Sequence, residues 1–419
     1  MPLLNFFARL LPLILALATA ANGRGAAMPS PHDFASLRAQ VATLGELTRP
    51  PVVYPAEGFA PTGTIQPLFF DGLPWKGKPT RVFAWLGMPA AKSTAEKIPG
   101  VVLVHGGGGT AFKEWVQKWN AHGFAAISIA VEGQTDERIP GAPAGAQWKR
   151  HAFAGPARNA IYGDSAEPLA DQWMFHAVAD VVLANSLLRS LPEVDATRVG
   201  VCGISWGGII TSTVVGIDAR FAFGIPIYGC GALDRAANQY GRALADLPLY
   251  REVWEPLLRL PRAAMPLLWL TGPNDAHFPL AAQQLSYRSA PGPRMVSAPF
   301  DMKHSHPAGW LPPDSYAFAK AVIEAGRPWA REITQSNRDG TARVEFETTR
   351  AVRDAVLVFK RAADWEKIAA QLETSADRTR VTATAAVPAG TIAYYFNLDA
   401  DGVTLSSEYQ ALSAISPKP

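Results

Sequence analysis

A short apolar run from Val199 to Cys202 is followed by Gly203-Ile204-Ser205-Trp206-Gly207, and then by a run, Ile209 to Val215, with the character of a buried helix. Gly-x-Ser-x-Gly between a strand and a helix confines the chain more than any other stretch does. It predicts a tight, strained turn that lifts a serine hydroxyl above the edge of a sheet, with glycines on both sides because a Cβ would collide with neighbouring backbone. The helix that follows starts beneath the serine, and its positive end favours a developing oxyanion. The motif alone is weak in a chain with 35 glycines; the strand before it and the helix after it give it weight.

A serine hydroxyl is a poor nucleophile until a base takes its proton and an acid holds that base in one tautomer. On a turn of this kind the partners follow along the chain as acid and then histidine. After the strand-like run Met265 to Leu270 comes Thr271-Gly272-Pro273-Asn274-Asp275-Ala276-His277, which makes Asp275 the expected acid. A further strand, Met295 to Phe300, runs into Asp301-Met302-Lys303-His304-Ser305-His306-Pro307. Two histidines compete there for the role of base. His306 is favoured because it follows a small residue and has more loop in which to reach Ser205; His304 is the alternative, as a base or as a brace of the loop. An oxyanion needs two backbone N–H donors. Trp206, directly after the serine, supplies one, and Gly107 or Gly108, in the run His105-Gly106-Gly107-Gly108-Gly109, supplies the other. That run lacks the Gly-Lys-Ser/Thr ending of a phosphate loop and the spacing of a dinucleotide fingerprint. His304, His306, His277 and Asp275 could be arranged as metal ligands, but the serine chemistry already employs two of them. No metal or other cofactor is expected. Trp173, Trp206 and Trp310 are candidates for the pocket wall or for the core.

Taken in order, the chain alternates strands and helices. A hairpin, Thr64 to Phe70 and Thr80 to Leu86, comes first. Strand Gly100 to Val104, helix Phe112 to His122 and strand Ala125 to Ala130 follow. After them come helix Leu169 to Leu191, the serine strand, strand Phe221 to Gly229, and helix Tyr240 to Leu260. The rhythm predicts an α/β fold, a mostly parallel doubly wound sheet with its site at the carboxyl ends of the strands. Between Glu132 and Pro168 lies a long Gly-, Pro- and Ala-rich stretch, expected to be a lid or a wall of the substrate site. From about Gly326 short strands take over (Thr341 to Thr348, Ala355 to Lys360, Thr379 to Ala386, Thr391 to Asn397, Thr404 to Leu412), the spacing of a small β-sandwich.

A formal charge of +3 over 419 residues points to neither nucleic acid nor an anionic membrane as partner. Residues 1–20, with one charge at Arg9, the apolar run Leu10 to Leu17 and the site Ala18-Thr19-Ala20, have the form of a secretory signal peptide. The expected localisation is secreted or periplasmic, without stable membrane insertion. Cys202 and Cys230 are the two cysteines; they are either buried thiols or, if their strands are neighbours, a bridge.

The glycine run after His105, the Gly203 to Gly207 turn, the Asp275 loop and the segment His304 to Trp310 together resemble the α/β-hydrolase serine esterases of the acetyl xylan esterase and dienelactone hydrolase type. Asp171-Gln172-Trp173 to Arg198 is similar to exported bacterial acetylxylan esterases and prolyl-oligopeptidase-like hydrolases. Dienelactone hydrolases proper use a cysteine nucleophile, and Ser205 departs from them. The resemblance covers roughly residues 60 to 325. It implies an α/β-hydrolase fold and ester hydrolysis through an acyl-serine intermediate on Ser205, Asp275 and a histidine. The expected organisation is a signal peptide (1–20), a leader (21–59), a catalytic domain (60–326) and a β-sandwich domain (327–419). The expected substrate is an ester, carried by an acetylated polysaccharide or oligosaccharide. A prolyl-oligopeptidase-like peptidase is the alternative, disfavoured because no propeller repeats precede residue 60. A non-catalytic binding protein on the same fold would require the serine, acid or histidine to be missing.

Overall fold

The computed structural model describes residues 31–90, 97–143, 145–362 and 364–412. The expected signal peptide lies outside them. The hairpin forms as β2 (Ile65–Asp71) and β3 (Arg81–Gly87), with a short β1 (Val53–Pro55) paired outside it. Next come β4 (Ile98–Val104), helix α2 (Lys113–Ala121) and β5 (Ala125–Ile129); α1 (Pro31–Ala42) precedes them all. After a small hairpin, β6 (Gln134–Arg138) and β7 (Trp148–Arg150), the chain continues through α3 (Trp173–Ser190), β8 (Val194–Ile204) and α4 (Trp206–Val214). It then passes through β9 (Gly224–Ile227), α5 (Gln239–Leu244), β10 (Leu267–Leu270), α6 (Leu280–Ser289) and β11 (Arg294–Ser297). Two helices, α7 (His306–Trp310) and α8 (Asp314–Ala325), close this part.

The strand order is β1-β2-β3-β5-β4-β8-β9-β10-β11, and from β5 to β11 neighbours run parallel. Strands covered by helices on both faces must be apolar along their length. Val101 to Val104 of β4 are fully buried, as are Val199, Val201 and Cys202 of β8. The serine strand is therefore central, between β4 and β9, which brings the loops after β4, β8, β10 and β11 to one edge. The long helix expected from Leu169 begins as a separate turn, Leu169–Asp171, and α3 starts at Trp173, whose N–H donates to Asp164 Oδ2 at 2.6 Å. The helix expected from Tyr240 to Leu260 is not continuous. Prolines at 248, 256 and 261 each remove a donor and clash with the preceding turn, and the segment breaks into α5 and short turns. Cys202 and Cys230 are both buried free thiols.

The C-terminal part supplies antiparallel strands β12 (Ala330–Arg338), β13 (Thr341–Thr348), β14 (Asp354–Arg361), β15 (Asp364–Ala369), β16 (Gln371–Thr374), β17 (Arg380–Ala386), β18 (Ala393–Ala400), β19 (Val403–Ser406) and β20 (Gln410–Ala411). β12, β15 and β16 have too weak an alternation to have been read from the sequence. β12-β13-β17-β16 form one sheet. The other, β19-β18-β14-β15, is continuous with the central sheet, because β19 pairs with β11 through Val296 and Ser406. Ala298, just past β11, is held by this sheet: its N–H donates to Ser406 Oγ at 2.7 Å, and its carbonyl accepts from Tyr395 Oη at 3.0 Å and Asn397 Nδ2 at 2.9 Å. The β domain thus anchors the strand that leads into the histidine loop. Among the described residues no helix is long and apolar enough to cross a membrane.

Candidate active site

Ser205 sits at φ 58° and ψ −114°, a conformation that a non-glycine residue adopts only when its surroundings enforce it. Its N–H donates to Ile227 O of β9 at 2.9 Å, which ties the turn to the neighbouring strand. A Cβ on Gly203 would stand 2.1 Å from Gly207 O, and one on Gly207 would stand 2.0 Å from Val104 O. No side-chain movement relieves a clash with backbone, so both flanking positions require glycine.

The Asp275 loop follows β10. Oδ1 of Asp275 accepts the N–H groups of His277 at 2.8 Å and Phe278 at 3.0 Å, and its side chain is 2% exposed. Its other oxygen, Oδ2, lies 2.8 Å from His304 Nδ1, and His304 Nε2 lies 3.0 Å from Ser205 Oγ. A carboxylate accepts from Nδ1–H, which leaves the Nε2 lone pair facing the serine hydroxyl. Tyr228 stacks on the His304 ring at 4.4 Å, and its hydroxyl donates to Lys303 O at 2.7 Å, so the ring's plane and its backbone are fixed from one side chain.

His306, favoured from the sequence, stands elsewhere. Ser305 caps α7 by accepting from Ala308 N–H at 3.1 Å, and Pro307 takes the first turn, so the chain bends into a helix at His306. Its ring packs on Phe112 at 4.9 Å, and Nε2 accepts from Gly106 N–H at 2.9 Å. Burial pushes the imidazole down to about 4, which keeps it neutral and able to accept.

The glycine run is held by groups that sequence reasoning missed. His105 is buried and driven down to about 3, chiefly by desolvation. Its Nε2 accepts from Val131 N–H at 3.0 Å, so Nδ1 carries the proton and donates to Gly106 O at 2.7 Å. Gln134 Nε2 donates to Gly109 O at 2.9 Å, and Trp148 Nε1 donates to Gly108 O at 2.9 Å. Both peptide groups of Gly106 are therefore set by histidines. Nothing in the spacing of Gln134 or Trp148 announces that role; both come from the stretch read as a lid or wall. Gly107 lies against Trp206, with room of only 3.0 Å between a Cβ there and the indole Cδ1, whereas Gly108 faces Gly145. The N–H groups of Gly107 and Trp206 have no acceptor among the described residues. Trp173, Trp206 and Trp310 are all buried.

Among the described residues no group of three or more His, Cys, Asp or Glu side chains is placed to hold a metal ion. Grooves of about 610 and 620 Å³ lie along the seam with the C-terminal strands, and neither is lined by Ser205, His304 or Asp275. The cluster of Ser205, His304 and Asp275 sits at the sheet edge, not in the seam.

No curated protein matches the chain. Among solved structures, an acetyl xylan esterase from Paenibacillus sp. R4 is similar, with a TM-score of 0.54 and 20% identity, covering 70% of this chain and 94% of the other. Acetyl xylan esterase 1 from Thermoanaerobacterium sp. JW/SL YS485 is similar with a TM-score of 0.51 and 19% identity, covering 66% and 90%. Identities this low speak for the α/β-hydrolase fold alone. A family model for acetyl xylan esterase (AXE1) matches residues 17–231, just over half of the 419 residues, so the chain belongs to the acetyl xylan esterase family and is a carboxylic ester hydrolase.

Proposed function

We propose that this protein is an exported serine esterase that removes acetyl-type groups from a carbohydrate through an acyl-serine intermediate. The observation that carries the reading is His304, bridging Ser205 Oγ and Asp275 in one hydrogen-bonded line. In this mechanism His304 takes the serine proton as Oγ attacks the ester carbonyl, and Asp275 holds the ring in the required tautomer and stabilises the imidazolium that forms. The N–H groups of Trp206 and Gly107 receive the oxyanion. His304 then protonates the leaving alcohol, and a water activated by the same nitrogen releases the acid. His306 acts on the other side of the site, as a positioning residue that holds the Gly106 peptide so that the next N–H is correctly aimed. The catalytic unit spans residues 60–326, and the 327–419 unit supports the histidine loop from behind. Export rests on the form of residues 1–20, and N-terminal sequencing of protein recovered outside the cytoplasm tests it.

The test of activity is acetate release from acetylated xylo-oligosaccharides, beside p-nitrophenyl acetate and a proline-containing peptide anilide. Acetate release by the wild type and none by Ser205→Ala is the expected result. Cleavage of the anilide alone would replace the esterase with the peptidase, and an active Ser205→Ala would remove the serine mechanism.

A further inference from the structure

The stretch between β5 and α3 contributes more than clamps for the glycine run. Arg158 brings a guanidinium to the site. Its Cζ lies over the Trp206 indole, 5.1 Å from the ring centroid, and Nη2 is 2.8 Å from where a Cβ on Gly107 would stand. The cation therefore abuts the two residues whose N–H groups face the reacting carbonyl in the proposed mechanism. Any side chain at 107 would displace it.

Arg158 is held at two of its three guanidinium nitrogens. Nε donates to Glu132 Oε1 at 3.1 Å, and Nη1 donates to Ala160 O at 2.7 Å. Nη2 has no acceptor among the described residues, and the side chain keeps 20% of its surface exposed. The anchoring is built at a cost. Ala160 and Tyr162 are both left-handed, at φ 46° and 53°, strain of the kind that persists where the surroundings over-determine a functional geometry. Tyr162 also packs its ring against Trp206, at 5.6 Å. Glu132 is the carboxylate for two cations: Arg158, and Arg150, whose guanidinium donates to the carbonyls of Glu132 and Gly155.

A guanidinium pinned by Nε and Nη1 over an aromatic ring, with Nη2 presented beside an oxyanion site, is a receptor for an anion. We infer that Arg158 makes this wall a binding site for a carboxylate carried by the substrate next to the scissile ester, so that the enzyme selects anionic esters over neutral ones. This rests on the esterase reading above and adds a substrate class to it. The carboxylate can belong to the acyl group, as in a dicarboxylic half-ester, or to the alcohol, as in an acylated acidic sugar.

Two matched pairs separate those sources: p-nitrophenyl hydrogen succinate against p-nitrophenyl butyrate, and 4-acetoxybenzoate against its methyl ester. The quantity read is the anionic-to-neutral ratio of kcat/KM in wild type and in Arg158→Gln, in which general losses of activity cancel. The ratio should fall roughly tenfold or more for one pair, the size of a lost charge-assisted hydrogen bond. An unchanged ratio for both pairs overturns the inference. If Arg158→Gln does not fold, wild-type inhibition decides: competitive inhibition by 4-hydroxybenzoate or succinate, at least tenfold stronger than by the corresponding amides, supports the site, and equal inhibition overturns it. If the wild type hydrolyses none of the four esters, the esterase reading fails on its own. Calorimetric binding of 4-acetoxybenzoate and its methyl ester, and of the succinate and butyrate esters, to Ser205→Ala with and without Arg158→Gln then decides the anion site. A carboxylate preference lost with Arg158 supports it, and no preference overturns it.

Discussion

His304 and His306 are two residues apart and both face the glycine run or the serine, yet their removal should have consequences of different size and kind. His304→Ala removes the only side-chain nitrogen within reach of Ser205 Oγ among the described residues, at 3.0 Å, and with it both proton transfers of the proposed mechanism. Loss of one member of such a unit is expected to lower kcat about 10⁴-fold or more. His306→Ala removes the acceptor of Gly106 N–H at 2.9 Å and leaves a buried donor unpaired, a cost of roughly 1–3 kcal/mol. If all of it is spent on misaligning the donors to the oxyanion, the rate falls between about 5- and 150-fold. Part will instead appear as lower stability, since the ring also packs on Phe112 and Trp310. His306→Gln, whose amide oxygen can accept from the same N–H, should recover most of the rate; no glutamine recovers His304. The assay is steady-state hydrolysis of p-nitrophenyl acetate at neutral pH, with thermal melting to establish that each variant is folded. A folded His306→Ala as inactive as His304→Ala, or a His304→Ala that keeps more than about a tenth of the wild-type rate, would refute the assignment.

Asp314 offers a test by pH. Burial raises its carboxyl from 3.8 to about 6, against the hydrogen bonds from Ser297 Oγ and Thr404 N–H. A folded-state value above the unfolded one stabilises below about 3.8 and is lost as pH rises through about 6, a change on the order of 3 kcal/mol. Asp314→Asn should therefore gain on the wild type in melting temperature from pH 4 to pH 7, and a constant difference would count against a buried neutral carboxyl. Gly207→Ala, with its Cβ 2.0 Å from Val104 O, should abolish folding or activity, and a soluble, active variant would show that the turn yields. Asn397→Ala leaves Ala298 O with one donor fewer and should cost roughly 1–3 kcal/mol of stability, with a smaller change in rate, which melting and turnover separate. A chelator should leave turnover unchanged, and a loss restored by added divalent cation would revive metal chemistry.

Much of this protein follows from local sequence alone. The serine turn is legible because three requirements coincide in a dozen residues: an apolar strand, glycines where a Cβ would stand about 2 Å from backbone oxygen, and an apolar helix after it. The alternation of apolar strands and helices implies a parallel sheet, and chain order then places Asp275 and a histidine at the same edge. The helix expected from Tyr240 to Leu260 is instead broken after α5, because the prolines at 248, 256 and 261 cannot continue one. What only the tertiary structure decided are contacts between residues remote in sequence. His304 and His306 are indistinguishable by spacing; they separate because Ser305 starts a helix that carries one ring to Gly106, while Tyr228 stacks the other against Ser205. Gln134 and Trp148 serve the glycine run from a stretch with no periodicity of its own. Arg158 lies over Trp206 with its Nη1 held by the carbonyl of the left-handed Ala160, and the C-terminal strands join the central sheet through a single register between Val296 and Ser406. Local propensity depends on a residue and its few neighbours, and these arrangements depend on which distant surfaces the completed sheet brings within hydrogen-bonding distance.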